Sequence, residues 1–284
     1  MAIDCHCHLN DQAFEEDLQN IVGSLTADKV DYAIISGYNL ESSLKAIEIA
    51  EKSEILYACT GFHPENVDDI KPGDFEKLIQ TYNHPKVVAV GEIGLDYHWR
   101  QDNKEEQKKI FLKQLDIAES LKMPVVIHQR DCGMDVLEIL KKRGVKDGVV
   151  LHCFSESVEM AKEFVKLGCY ISLGGVITYK NAGKLLDVAK FVPKDLLLTE
   201  TDSPYLTPVP KRGKRNEPKY TNFALLILTG MTDHVHVILS VAKDLHKRHV
   251  NIGTLSETTT ANETYNPIHN TASVLPADDN SPRC

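Results

Sequence analysis

A chain of 284 residues, 42% of them hydrophobic, is long enough to bury a barrel-sized core as one unit. Its formal charge of −9 removes any global attraction to long duplex nucleic acid, which excludes a DNA-coating or architectural role but leaves room for a local phosphate site. Cysteines scattered at 5, 7, 59, 132, 153, 169 and 284, with no secretory leader at the start, read as free thiols in a reducing cytoplasm, and the longest apolar run, residues 223–228, is too short for a bilayer, so no membrane partner is expected.

Short β-branched runs then alternate with longer amphipathic stretches. The pattern predicts strands at 2–6, 31–36, 55–61, 86–91, 124–128, 148–152, 169–173 and 196–201. Between them, 104–122 is the clearest helix, with Ile110, Phe111, Leu115, Ala118 and Leu121 at three- and four-residue intervals. Residues 135–142, 157–167 and 181–191 repeat the pattern more briefly. Eight strands with intervening helices predict an α/β chain folded as a (β/α)8 TIM barrel. An open doubly wound sheet shares the alternation, but no G-x-G-x-x-G or Walker loop follows any strand. The barrel is expected over residues 1–222. Residues 223–265 read as a divergent segment with helical character in its apolar first part, and 266–284, rich in Pro, Asn, Asp, Ser and Thr, as a disordered tail.

Polar residues recur at the carboxyl ends of the strands, where the active sites of such barrels form. His6 and His8 close the first strand. Glu92 stands in phase with Val88 and Val90, His128 with Val126, His152 with Val150, and Asp202 with Leu198 and Glu200. Each has a plain reading taken singly: a hydrogen-bonded rim histidine, or a carboxylate capping the next helix. Jointly they place four imidazoles and two carboxylates at one small volume. That is too many for one tetrahedral zinc and suits two divalent ions bridged by a carboxylate, an arrangement that acidifies water and clamps both oxygens of a displacement. Cys5 and Cys7, in the alternate phase, are expected outside the barrel wall as small buried hydrophobes. A second cluster, Asp233, His234 and His236 with His246 and His249, lacks strand context and reads as a solvated helix face.

The blocks D-C-H-C-H-L-N-D, G-F-H-P, G-E-I-G-L-D-Y, P-V-V-I-H, L-H-C-F-S, L-L-T-E-T-D-S-P-Y-L-T-P and R-G-K-R-N-E-P-K-Y, in this order from residue 4 to 220, resemble the TatD family of metal-dependent deoxyribonucleases within the amidohydrolase-like superfamily of TIM barrels. The resemblance implies hydrolysis of DNA phosphodiester bonds by a 3′→5′ exonuclease acting on single strands or frayed 3′ ends, with a monomer as the default state. It implies one ion on His6, His8, Glu92 and Asp202 and another on Glu92, His128 and His152, the ions being zinc, manganese or magnesium. The imidazole-rich set leans toward zinc or manganese. The catalytic residues would be Glu92, Asp202 and His63, with Asp202 taking a proton from water and His63 contacting the scissile phosphate or leaving group. Arg130, Tyr97, and Arg212 and Arg215 of the basic 211–215 loop would join His63 in binding substrate, and Asp96 would shape the pocket floor beside Tyr97. Rim rings such as His98, Trp99 and Tyr205 either stack bases or pack the loops.

Two other functions remain open from the residues. A two-metal amidohydrolase acting on a small amide, ester or lactone shares the ligand set, but such enzymes commonly bridge their ions with a carboxylated lysine where this chain has Glu92. A non-catalytic scaffold would be expected to lack a ligand, and none of the six is missing. Beyond residue 222 the family course fades to a faint T-T-A-N echo at 259–262, which leaves closure of the barrel by its last helix insecure.

Overall fold

The computed structural model describes residues 2–144 and 146–231. Eight strands, β1 Ala2–Cys7, β2 Val30–Ser36, β3 Leu56–Thr60, β4 Val87–Asp96, β5 Val125–Arg130, β6 Val149–Leu151, β7 Tyr170–Leu173 and β8 Leu197–Thr199, form one sheet in sequential order with every neighbouring pair parallel. The ends meet just past β8. Asp202 N–H donates to the His6 carbonyl at 2.9 Å, His8 N–H to the Ser203 carbonyl at 2.7 Å, and the Thr199 hydroxyl to the Ile3 carbonyl at 2.8 Å. The expected TIM barrel is therefore present and nearly closed, with each strand carboxyl end at the same mouth.

Helices α1 Leu18–Ser24, α2 Leu40–Ala50, α3 Asp74–Thr81, α4 Lys104–Leu121, α5 Gly133–Arg143, α6 Val158–Lys166, α7 Gly183–Phe191 and α8 Thr221–Met231 follow the strands in turn. Parallel strands buried on both faces need apolar side chains on both. Outward residues such as Ile35, Ile93, Ile127, Leu151 and Ile171 join helix residues Phe111, Leu140 and Phe164 in the main core. Inside the barrel a thinner plug of Cys59, Ala89 and Val126, backed by Ile34 and Val150, supports the mouth from below.

The seam that the sequence left insecure is covered. α8 packs against β1 and β8, burying Ala224 and Leu228, and the Thr221 hydroxyl donates to the Ile3 carbonyl at 3.3 Å. The remainder of the divergent segment beyond residue 231, the expected disordered tail 266–284, the 233–236 cluster and the T-T-A-N echo lie outside the described residues. Among the described residues no helix is long and apolar enough to cross a membrane.

Two expectations based on strict alternation fail, both because strand pairing slips. The β1–β2 register shifts between Ala2 and Ile3 and again between Asp4 and Cys7. Cys7 packs in the outer core as expected, but Cys5 turns into the barrel, its Sγ 3.0 Å from Ser172 Oγ. Burial pushes both thiols well above their ordinary range, so they stay protonated and are poor metal ligands. The β4–β5 register shifts between Val90 and Ile93, and these two residues both face the outer core. Glu92 therefore reaches the interior out of phase with Val90.

β4 also runs five residues past the expected 91, as far as Asp96, pairing Gly94 with His128. Gly94 has φ +144°, and a Cβ there would lie 2.0 Å from the His128 carbonyl oxygen. Only glycine permits that approach, which sets the backbone carrying Glu92 directly beside that carrying His128.

Candidate metal centre

The mouth gathers His6 and His8 from β1 and the turn after it, His63 after β3, Glu92 from β4, His128 from β5, His152 just past β6 and Asp202 just past β8. Glu92 is the hub. Its Oε2 lies 3.4 Å from His6 Nε2 and 3.7 Å from His8 Nε2. Its Oε1 lies 2.8 Å from His152 Nε2, 3.1 Å from His128 Nδ1 and 3.4 Å from His63 Nε2. One carboxylate thus faces two groups of imidazoles with different oxygens. Asp202 Oδ1 joins the first group, 3.4 Å from His8 Nε2 and 3.8 Å from His6 Nε2.

The donor chemistry fits a bound cation. His8 Nδ1–H donates to the Ser36 carbonyl at 3.0 Å, and His128 Nε2–H donates to Asp96 Oδ2 at 2.9 Å. Each bond fixes a tautomer and leaves the other ring nitrogen with its lone pair aimed into the cluster, as ligating histidines require. Those nitrogens crowd one another: His6 Nε2 and His8 Nε2 are 3.2 Å apart, as are His128 Nδ1 and His152 Nε2. The ligand atoms of His6, His8 and Glu92 lie within 4.8 Å of one another, as do those of His6, His152 and Asp202 and those of His63, Glu92 and His128. Convergent lone pairs repel unless a shared proton or metal cation lies between them.

The electrostatics of the two carboxylates and of His6 point the same way, whereas, against burial, the facing carboxylates raise His8, His128 and His152 above the ordinary imidazole range. Burial opposes charge on Glu92, yet His152, His63 and His6 hold its carboxyl well below the usual range. Asp202, also desolvated, is kept low by the His8 hydrogen bond and by His152. Both stay anionic, the form that binds metal. His6 is pushed down by burial and by neighbouring His152, whose ring stacks on it at 3.8 Å between centroids. It therefore stays neutral and able to ligate.

The six ligand candidates and His63 converge; the other expected residues are placed differently. His63 Nδ1 accepts from the Glu65 N–H at 3.2 Å, leaving Nε2 toward the cluster. It is a helix cap and a site residue together. Tyr97 is buried, with its hydroxyl donating to Asp135 at 2.7 Å, which makes it a pin between β4 and α5. Arg215 is engaged below the rim: its guanidinium straddles Asp17 at 2.8 and 2.7 Å, donates to the Ala13 carbonyl at 2.7 Å and lies over the Phe14 ring. Arg212 is exposed, 4.1 Å from the Tyr179 ring centroid, and Arg130 is exposed beside Trp99.

Sequence reasoning missed Ser36 and Glu200 beside the ligands and gave Asp96 only the pocket floor. Ser36 serves both β1 histidines, its carbonyl accepting from His8 and its Oγ lying 3.0 Å from His6 Nδ1. Asp96 holds His128. Glu200 accepts from the Cys153 N–H at 2.7 Å and lies 3.7 Å from His152 Nδ1. Ser36 and Glu200 stand in the inward phase of their strands, with Ile34 and Leu198. The signal that found the ligands applied to them too.

A sequence model of the family described as TatD related DNase matches residues 3–249, which takes in α8. The uncharacterized metal-dependent hydrolase YabD of Bacillus subtilis is 41% identical over 224 residues, covering 78% of this chain and 88% of that protein. The uncharacterized metal-dependent hydrolase YcfH of Escherichia coli K12 is 40% identical over 221 residues, 76% of this chain and 82% of that one. Among solved structures, the TatD homologue YJJV from Escherichia coli K12 superposes with a TM-score of 0.75 at 30% identity, covering 88% of this chain and 95% of that one. A phosphotriesterase homology protein from Escherichia coli, covering 81% of this chain and 92% of that one, shares the fold alone, at a TM-score of 0.61 and 14% identity.

Proposed function

Because the chain belongs to the TatD related DNase family of metal-dependent hydrolases, we propose that it hydrolyses phosphodiester bonds in DNA as a 3′→5′ exonuclease on single strands or frayed ends. The observation that carries this reading is the division of the Glu92 carboxylate between two groups of imidazoles. A bridging carboxylate is the arrangement of paired divalent ions, which suits in-line displacement at phosphorus. His6, His8, Glu92 and Asp202 would hold one ion, and Glu92, His128 and His152 the other. Bound there, the ions would lower the pKa of water and neutralise phosphate charge.

The chain's own groups divide the remaining work. Asp202 is the carboxylate of the cluster with the most solvent access, its side chain 15% exposed against 4% for Glu92. It is therefore placed to take the proton from attacking water at Oδ1 or Oδ2. His63, with Nδ1 occupied by the Glu65 N–H, presents Nε2–H as a donor toward a phosphate or leaving-group oxygen. Arg130, the exposed last residue of β5, and Arg212, exposed on the loop after β8, offer guanidinium donors for flanking phosphates. Arg215 holds the 211–215 loop to the segment before α1 and so positions Arg212 instead of meeting DNA itself.

The test uses a single-stranded oligonucleotide labelled at either end, with the protein stripped by chelator and reloaded with zinc, manganese or magnesium. Stepwise loss of 3′ nucleotides that depends on added metal is the expected result. Cleavage of small amides, esters or lactones with no attack on any oligonucleotide would overturn the reading in favour of an amidohydrolase.

A further inference from the structure

Trp99 is the single tryptophan of the chain and is 65% exposed. An exposed indole leaves a sizeable apolar surface in water, and here the His98 ring meets it edge-on at 4.8 Å between centroids. Its loop, between β4 and α4, is anchored on both sides. His98 Nδ1 lies 2.9 Å from Asp131 Oδ2, and Arg100 pairs with Asp68 and, at 2.8 Å, with Asp102. The indole is thus presented on a braced loop.

The Trp99 backbone lies beside the candidate metal centre. The Trp99 N–H donates to Asp96 Oδ1 at 3.3 Å, while Asp96 Oδ2 accepts from His128. One carboxylate therefore separates the Trp99 backbone from a candidate ligand. The exposed Arg130, two residues beyond His128, places its guanidinium carbon 5.2 Å from the indole centroid. An aromatic plane paired with a planar cation at the edge of a phosphodiester site matches one chemistry: a stacked base next to a phosphate.

Resting on the deoxyribonuclease reading, we propose that Trp99 and Arg130 form a nucleotide subsite. The indole stacks the base adjoining the scissile phosphodiester, and the guanidinium holds the neighbouring phosphate. Stacking tolerates any base, so the subsite sets strandedness and not sequence. A paired base would have to leave its own stack first, which favours single-stranded or frayed ends.

Two measurements test this on the full chain. In the first, wild type, Trp99→Ala and Trp99→Phe are compared on a dT oligomer and on methyl p-nitrophenyl phosphate, a phosphodiester without a base. Trp99→Ala should raise KM for the oligomer about tenfold with little change in kcat, Trp99→Phe should restore most of the loss, and the baseless ester should be turned over equally by all three. In the second, the fluorescence of the sole tryptophan is followed as wild type is titrated with a phosphorothioate dT oligomer and with an abasic oligomer of equal length. Strong quenching by the first and little by the second is expected. Equal quenching by both oligomers, or an unchanged KM for Trp99→Ala, would overturn the subsite while leaving the nuclease reading intact. If no phosphodiester is cleaved by wild type, that reading fails instead, and the fluorescence titration still decides the subsite.

Discussion

The two flanks of Glu92 reach the same end by different physics. On the β5–β6 flank, His128 sits on its strand and His152 just past the end of its own, each in the inward phase, with carboxylates behind them: Asp96 at 2.9 Å from His128 and Glu200 at 3.7 Å from His152. Despite burial, these anions together with Glu92 raise both imidazoles above their ordinary range. On the β8–β1 flank, His6 and His8 follow a slipped stretch of strand and Asp202 has φ +55°. The groups behind the imidazoles are neutral, the carbonyl and hydroxyl of Ser36, and the negative charge faces the cluster as Asp202 itself. Negative charge behind the ligands strengthens binding of a cation, whereas negative charge among them is also available to move a proton. On the proposed reading, tight holding of an ion would fall to the β5–β6 flank and proton transfer to the β8–β1 flank.

Substitutions can break this division, beginning with the group the flanks share. Glu92→Gln should lower phosphodiesterase activity by roughly 10⁴-fold or more, and metal analysis of the purified variant should show loss from both flanks. An active variant with two ions bound would remove Glu92 as the bridge. Asp202→Asn should cost about 10²–10³ in kcat, within the range for a lost general base, while calorimetry still detects an ion on the β5–β6 flank. If Asp202→Asn instead raised KM alone, proton transfer would belong elsewhere.

Asp96→Asn sharpens the contrast between supports. It should weaken one of the two ions by about 10–100-fold, read as separation of two binding phases that overlap in wild type. Ser36→Ala removes only the hydroxyl beside His6 and keeps the carbonyl that orients His8, so its effect should be clearly smaller. Equal losses from the two substitutions would mean that hydroxyl and carboxylate supports are equivalent here.

The smallest effect concerns the strap beneath the β8–β1 flank. Arg215 holds the Asp17 carboxyl below its ordinary 3.8, so the pair contributes stability above that value and loses it as pH falls through the lower folded one. With the Asp17 side chain 39% exposed, screening limits the gain to about 1 kcal/mol or less. Thermal melts should show Asp17→Asn slightly less stable than wild type at pH 7, with the difference narrowing as pH falls below 3.8.

Much of this was legible along the chain. The eight strands and the ligand inventory at their carboxyl ends follow from local periodicity, because a polar residue closing an apolar strand is visible within six residues. On the β5–β6 flank the phase argument also names the correct face, since those strands pair without slippage. It misplaces Cys5 and misreads the phase of Glu92, where β1 and β4 shift register against their neighbours. A register shift depends on the partner strand and leaves no local trace.

By itself, then, the sequence determined a parallel barrel and the identity of the residues meeting at its mouth, because burial on both faces and a period of two are properties of each strand alone. Only the tertiary structure decided how those residues are held. The Ser36 contacts to His6 and His8, the Asp96 bond to His128 and the Glu200 bond to the Cys153 N–H join segments 28 to 47 positions apart. The same is true of Tyr97 pinned to Asp135 and of Arg215 closed onto Asp17 across 198 positions. Which donor meets which acceptor across a folded mouth is set by the packing of eight separate strand ends, and no single stretch of the chain contains that information.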